Sequence, residues 1–148
     1  MNVFFTDRDL GKAFPAMLRD AGIQIEEAAK HFAPNTSDDV WLDTVGQRRW
    51  FVRTHDRRIR YKPNELAAVA TAGVGMFVLI GQVSTRELAA NFIRTFASVE
   101  KFIARSPRPF IARVYRPAPS ELARNPSAAG RVEPWLSAKG FGRRKRGA

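Results

Sequence analysis

Three aspartates in this 148-residue chain stand where carboxylates can do chemistry. Asp7 ends the first apolar run, Asp38 opens a helical segment, and Asp56 ends a later run that begins at Trp50. In a parallel α/β sheet the carboxyl ends of the strands share one edge, where ligands bind, so acids at those ends can converge on one cation. Magnesium and manganese take hard oxygen donors, keep several waters, and need only one or two carboxylates beside substrate phosphates. A cation so held polarises a phosphodiester and lowers the pKa of a bound water that attacks phosphorus. Asp39 neighbours Asp38 and projects differently from the helix start, so either residue can be the ligand. Asp9, two beyond the strand end, reads better as a cap for the following helix. Asp43 falls about 140° around the helix from Asp38 and reads as solvated.

Composition narrows the chemistry. There is no cysteine, which removes disulfides and thiolate zinc sites, and only two histidines, which disfavours an imidazole-rich centre. The net charge of +11 favours polyanionic partners, nucleic acid before an acidic protein or an anionic membrane. No basic n-region precedes the first apolar residues, and the stretch Leu66 to Gly81, with Thr71 and three glycines, is too short to span a bilayer. A cytoplasmic protein with no membrane segment is the expectation.

The elements that must position the acids alternate. Val3 to Thr6 reads as a strand, followed by a helix through Leu10, Phe14, Met17 and Leu18 that closes at Gly22. Ile23 to Glu26 is a short strand; Ser37 caps a helix with Asp38 and Asp39 in its first turn, where acids suit the macrodipole. Trp50 to Thr54 and Met76 to Ile80 are further strands, with a helix between them that starts near Pro63. Ser84-Thr85-Arg86-Glu87 has capping-box spacing and opens one long helix, whose Leu88, Phe92, Ile93, Phe96, Val99, Phe102 and Ile103 make a core stripe. Phe110 to Tyr115, bounded by Pro109 and Pro117, reads as a final strand at an edge.

This pattern predicts a three-layer α/β/α domain over residues 1–116 with a mainly parallel central sheet in the order 2-1-3-4, the place of the last strand left open. With that order Asp7 and Asp56 flank the topological switch point. Residues 117–148 lose periodicity, are rich in Pro, Ala, Ser, Gly and Arg, and end in Arg143-Arg144-Lys145-Arg146; they read as a basic tail, disordered in isolation. Trp41 and Trp50 read as core, and Trp135, isolated in the tail, as a residue that makes an interaction on folding or on binding.

At Phe4 to Leu10, at Asn35 to Leu42 and at Phe51 to Ile59 with its Thr-x-Asp element, the chain resembles the PIN-like nucleases, most closely the short members that include toxins of VapBC-type toxin–antitoxin systems. The resemblance covers roughly the first 80 residues. It implies a Mg²⁺- or Mn²⁺-dependent endoribonuclease with Asp7, Asp38 and Asp56 as metal-binding acids, Asp39 assisting or replacing Asp38, and Thr54 as the small hydroxyl beside an acid. Many relatives carry another aspartate two residues past the last acid; this chain has Arg58 there, which leaves the site poorer in acid. The implied partners are an RNA substrate and a cognate antitoxin, and a homodimer is compatible with the sequence.

Arg8, Lys12, Arg57, Arg58 and Lys62, with Arg53, His55 and Arg60 among them, surround the acids in sequence and are candidates to hold an RNA backbone through salt-dependent phosphate contacts. The bland alternative is a solvated basic face, and for the acids it is turn and cap chemistry. A haloacid dehalogenase-type phosphotransferase shares the Asp7-x-Asp9 spacing, but Gly81-Gln82-Val83 lacks the acids it needs; a receiver domain lacks its late lysine, since Arg116-Pro117 follows the last strand. The runner-up is a non-catalytic PIN-like module that binds nucleic acid or a partner.

Overall fold

The computed structural model describes residues 2–55 and 63–141, apart from the side chain of Asp9. Val-Phe-Phe-Thr and Phe-Val-Arg-Thr are runs of aromatic and β-branched residues that suit a pleated, covered surface, and they form β1 (Val3–Thr6) and β3 (Phe51–Thr54). With β2 (Gln24–Glu27), β4 (Gly75–Leu79), β5 (Phe110–Tyr115) and β6 (Arg131–Leu136), they make one sheet in the order β2-β1-β3-β4-β5-β6. All neighbours are parallel except β5 and β6, which run antiparallel. The expected 2-1-3-4 order and the mainly parallel α/β/α architecture are therefore observed. Among the described residues no helix is long and apolar enough to cross a membrane.

Helices cover both faces, and the strands bury side chains on each. One layer comprises α1 (Ala13–Asp20), α5 (Thr85–Arg94) and α6 (Phe96–Arg105); its core joins Phe14, Leu18, Phe92 and Phe102 to Phe4, Phe51, Phe77 and Phe110 of the sheet. Phe4 alone packs against the rings of Phe51, Phe77, Phe92 and Phe96 at 5.5–6.3 Å between centroids. Each fully buried phenylalanine stabilises the fold by about 1.5–3 kcal/mol. The other layer is built from α3 (Asp38–Gln47) and α4 (Pro63–Ala72), with Leu42, Val45, Leu66 and Val69 against Phe5, Val52, Met76 and Val78. The two helices meet at Gly46, where a Cβ would lie 2.2 Å from the Ala72 carbonyl oxygen, so only glycine lets α3 approach this closely.

Three expectations are corrected. The long helix from Ser84 is broken at Thr95 into α5 and α6, although both halves keep their stripe in the core and Ser84 caps Glu87 N–H at 3.1 Å as expected. β5 is not an edge strand: Pro109 and Pro117 flank its paired residues instead of interrupting them, so β6 can add beside it. The segment after residue 116 is ordered through residue 141: it supplies α7 (Pro119–Arg124) and β6, and Leu136 and Phe141 enter the core. The register shifts between Ile111 and Ala112, which pair with Leu136 and Pro134, and Trp135 is the extra residue of that bulge. Trp135 consequently packs against the core on the α3/α4 side. The run Arg143 to Arg146 lies outside the described residues.

Candidate active site

The parallel ladder places the carboxyl ends of β1, β2 and β3 along one edge. Thr6 pairs with Glu27 on one side and Arg53 on the other, and the Asp7 N–H donates to the Arg53 carbonyl at 3.2 Å, which extends the ladder one residue beyond β1. Asp7 therefore lies against Thr54. The Thr54 hydroxyl, buried, donates to Asp7 Oδ2 at 3.2 Å. The other oxygen, Oδ1, accepts from the Arg8 N–H at 2.7 Å, because Asp7 also caps a single 3₁₀ turn over Arg8–Leu10. The carboxylate is thus oriented from two directions.

Asp38 reaches the same place from a different layer. The chain leaves α2 (Ala28–His31), turns through Pro34 and enters α3 at Ser37, whose backbone is extended as an N-cap requires but whose side chain makes no capping bond. Asp38 Oδ1 instead accepts from the Trp41 indole N–H at 2.9 Å, one helical turn on. Trp41 stacks on Phe5 at 5.4 Å, so the acid is tied to a core aromatic pair. Asp7 and Asp38 line one cavity of about 110 Å³, together with Arg8, Phe32, Thr36 and Trp41. The Arg8 guanidinium donates to the Phe32 carbonyl and fixes one wall of that cavity. Asp39 is exposed and does not line it.

A second recess of about 550 Å³ shares Asp7 and Arg8 and adds Lys12, Lys30 and Glu27. The sequence pattern ends the strand at Glu26 and so leaves Glu27 out; its place at the end of β2, level with Thr6, is the signal that finds it. Its carboxylate pairs with Arg19 at 2.9 Å and Lys30 at 3.2 Å. Burial alone would raise its pKa, but the hydrogen bonds from these two cations outweigh that and hold it below the ordinary value.

The remaining candidates divide. Lys12 stands at the recess; Asp56, Arg57, Arg58, Arg60 and Lys62 lie outside the described residues. Asp43 is exposed and accepts from Gln47 at 3.0 Å, as a solvated helix residue does. His55 bonds the Gly81 carbonyl oxygen through Nε2 at 2.9 Å, which ties it to the loop after β4. Arg53 cannot hold RNA: it points to the opposite face of β3 from Thr54 and is wholly buried. Its guanidinium lies 4.5–5.1 Å from the ring centroids of Phe92, Phe4 and Phe14, its three nitrogens bond to no acceptor among the described residues, and burial drives its pKa well below the ordinary value.

Residues 1–81 match the family described as PIN like domain. The chain belongs to that family. The match contains β1 through β4, and so every element that brings Asp7, Thr54 and Asp38 together, whereas α5 to β6 extend the PIN-like domain beyond it. No curated protein and no solved structure matches the chain. PIN-like domains are commonly nucleases that use divalent metal ions, which supports a nuclease-type, hydrolytic activity. The donors at the PIN-like edge suit such an ion: the carboxylates of Asp7 and Asp38 are hard oxygen ligands on one cavity, enough for a cation that keeps most of its waters. Among the described residues no three acidic or histidine side chains are grouped to hold a metal, so these two acids are a sparse set.

Proposed function

We propose that the chain is a metal-dependent endoribonuclease, and the toxin of a type II toxin–antitoxin pair. The observation that carries the first half is that Asp7 and Asp38, from different layers, face one cavity at the carboxyl edge of a PIN-like sheet. Asp7 and Asp38 would hold a magnesium or manganese ion, with Asp56 as the third acid on the sequence pattern alone. Such an ion supplies Lewis-acid polarisation of a phosphodiester. Thr54 holds the Asp7 carboxylate in one orientation, and Trp41 does the same for Asp38. Arg8, Lys12 and Lys30 offer cations beside Asp7 to neutralise and position the RNA phosphates. The toxin role rests on the resemblance to the short VapBC-type members, and the antitoxin would mask the acidic cavity or the basic surface around it.

A non-catalytic binding module is the second reading, favoured by Arg8, whose charge lines the same small cavity as both acids. One experiment separates the two. Purified protein is incubated with total cellular RNA in Mg²⁺, in Mn²⁺ and in EDTA, beside Asp7→Asn prepared identically. Discrete cuts that need both metal and Asp7 are the expected result; RNA binding without cleavage, indifferent to EDTA, would establish the module instead.

A further inference from the structure

The opposite edge of the sheet carries a basic recess that the acidic site does not use. The amino ends of β1 and β3, the turn after α3 and the turn before β5 enclose about 500 Å³, lined by Arg48, Arg49, Arg108, Trp50 and Phe51 among others, with no Asp or Glu among the described residues of the wall. Arg48 lies 5.0 Å from the Trp50 ring centroid and Arg108 4.0 Å from that of Phe51. Stacking on a ring occupies the face of a guanidinium and leaves its N–H edge for an anion.

Arg108 also donates to the Arg49 carbonyl at 3.0 Å, while its Nε is buried with no acceptor among the described residues. Arg49 itself sits at φ 59, so the turn holds it in a conformation that side chains seldom adopt. Burial, and then the charge of Arg49, pull the Arg108 pKa below its ordinary value. None of the three arginines is paired with a carboxylate among the described residues. Arg48 follows the end of α3, where a cation complements the helix dipole, but that accounts for one of the three charges only. Like charges gathered around an acid-free recess repel one another, and a bound anion removes that cost.

We infer that this recess is a phosphate-binding site that holds the backbone of single-stranded RNA at the end of the sheet remote from Asp7 and Thr54. The inference rests on the nuclease reading of the acidic edge. A strand of four residues rises about 13 Å, so the two sites are too far apart for one phosphate and suit one continuous polymer. The net charge of +11 draws such a polymer toward both ends. An acidic peptide would satisfy the arginines without relation to the other edge.

The test is binding, in EDTA, of a labelled oligouridylate of about 20 nucleotides, with oligoglutamate of equal length as the rival probe. Arg48→Gln/Arg49→Asn changes two exposed residues, and asparagine tolerates the positive φ at 49. RNA affinity should fall about tenfold at low salt, and the slope of log K against log salt should become shallower by about 1.4, for two lost phosphate contacts. Arg108→Lys, which keeps the charge, should retain the slope. Equal slopes for wild type and the double variant, or loss of oligoglutamate binding alone, would overturn the inference. If wild type cleaves RNA yet the slopes are equal, only the recess is misread. If wild type neither binds nor cleaves RNA, both readings fail together.

Discussion

The Thr54 hydroxyl donates to Asp7 Oδ2 at 3.2 Å across two adjacent parallel strands. Thr54 is buried and Asp7 is half-buried, so the bond transmits the rigidity of the sheet to the acid that faces the cavity. Removing a partner that orients a metal-binding carboxylate typically costs about 10- to 100-fold in activity or metal affinity. Thr54→Val should therefore lower RNA cleavage by about tenfold or more and raise the Mg²⁺ concentration for half-maximal rate, while Thr54→Ser keeps both near wild type. A Mg²⁺ titration of initial rates decides it, and equal curves for Val and Ser would remove Thr54 from the site.

Asp38 and Asp39 are adjacent in sequence and unequal in structure. Only Asp38 lines the cavity, and only Asp38 is held by Trp41. Asp38→Asn should abolish most cleavage, and Asp39→Asn should leave it within about twofold, the range of a solvated surface change. Trp41→Phe keeps the ring against Phe5 but loses the indole donor; its cleavage should drop about tenfold with a folding stability change of about 1 kcal/mol. Rates measured beside urea denaturation separate the two effects.

Arg53 carries an unpaired charge into a phenylalanine core. The ring faces of Phe4, Phe14 and Phe92 offset part of its desolvation, but among the described residues no carboxylate completes the balance. Replacing a buried ion pair by apolar side chains of similar volume is often neutral or stabilising by about 1–4 kcal/mol, and a lone buried charge bears its desolvation cost without the attraction of a partner. Arg53→Met should raise the thermal midpoint, read by calorimetry. A clear loss of stability would mean that the aromatic cage contributes more than the desolvation costs.

Glu87 joins α5 to the chain after β5: its Oε1 accepts from Arg94 at 2.9 Å and Arg116 at 3.1 Å. The hydrogen bond from Arg94, and then that from Arg116, outweigh burial and hold its pKa below the ordinary 4.5. A carboxylate with a lowered folded pKa contributes stability that is complete above the unfolded value and is lost as pH falls through the folded one. Between pH 5 and the acid limb the wild type should lose about 1 kcal/mol more than Glu87→Gln, measured by denaturant unfolding across pH.

Truncation after residue 116 should fail to give a folded protein. It removes β6 and with it Leu136 and Phe141 from the core, and it strips the cover from Ile111 and Val114 of β5. Truncation after residue 141 should fold as the full chain does. Near-UV circular dichroism distinguishes them, and a fixed tertiary signal from the shorter chain would show that the PIN-like part stands alone.

Much of this was legible in residues. Phe4-Phe5-Thr6, Phe51-Val52 and Met76 to Leu79 are apolar runs bounded by turn residues, and interior parallel strands write themselves that way because both faces are covered. The same double coverage hid Arg53: a charged residue on a strand reads as surface, and here no face of β3 is surface. The place of Asp38 at a helix start was legible from Ser37-Asp38-Asp39, although the Ser37 side chain makes no capping bond, whereas Glu27 needed one more residue of strand. β6 was illegible because Pro134 argues against a strand and the extra residue Trp135 breaks the alternation by which strands are recognised. The break at Thr95 was hidden because the apolar spacing of α5 and α6 continues across it.

The antiparallel β6 has a consequence for how the protein meets other chains. An open strand is a template on which a foreign strand can be laid, and β6 blunts that with Pro134, which offers no N–H, and with the kink at Trp135. The far edge, β2, is only four residues long and ends in Glu26 and Glu27, both engaged by cations or histidine. Neither flank invites strand-by-strand polymerisation, and the recesses described here lie instead at the two ends of the sheet, one with Asp7, Asp38 and Arg8, the other with Arg48, Arg49 and Arg108.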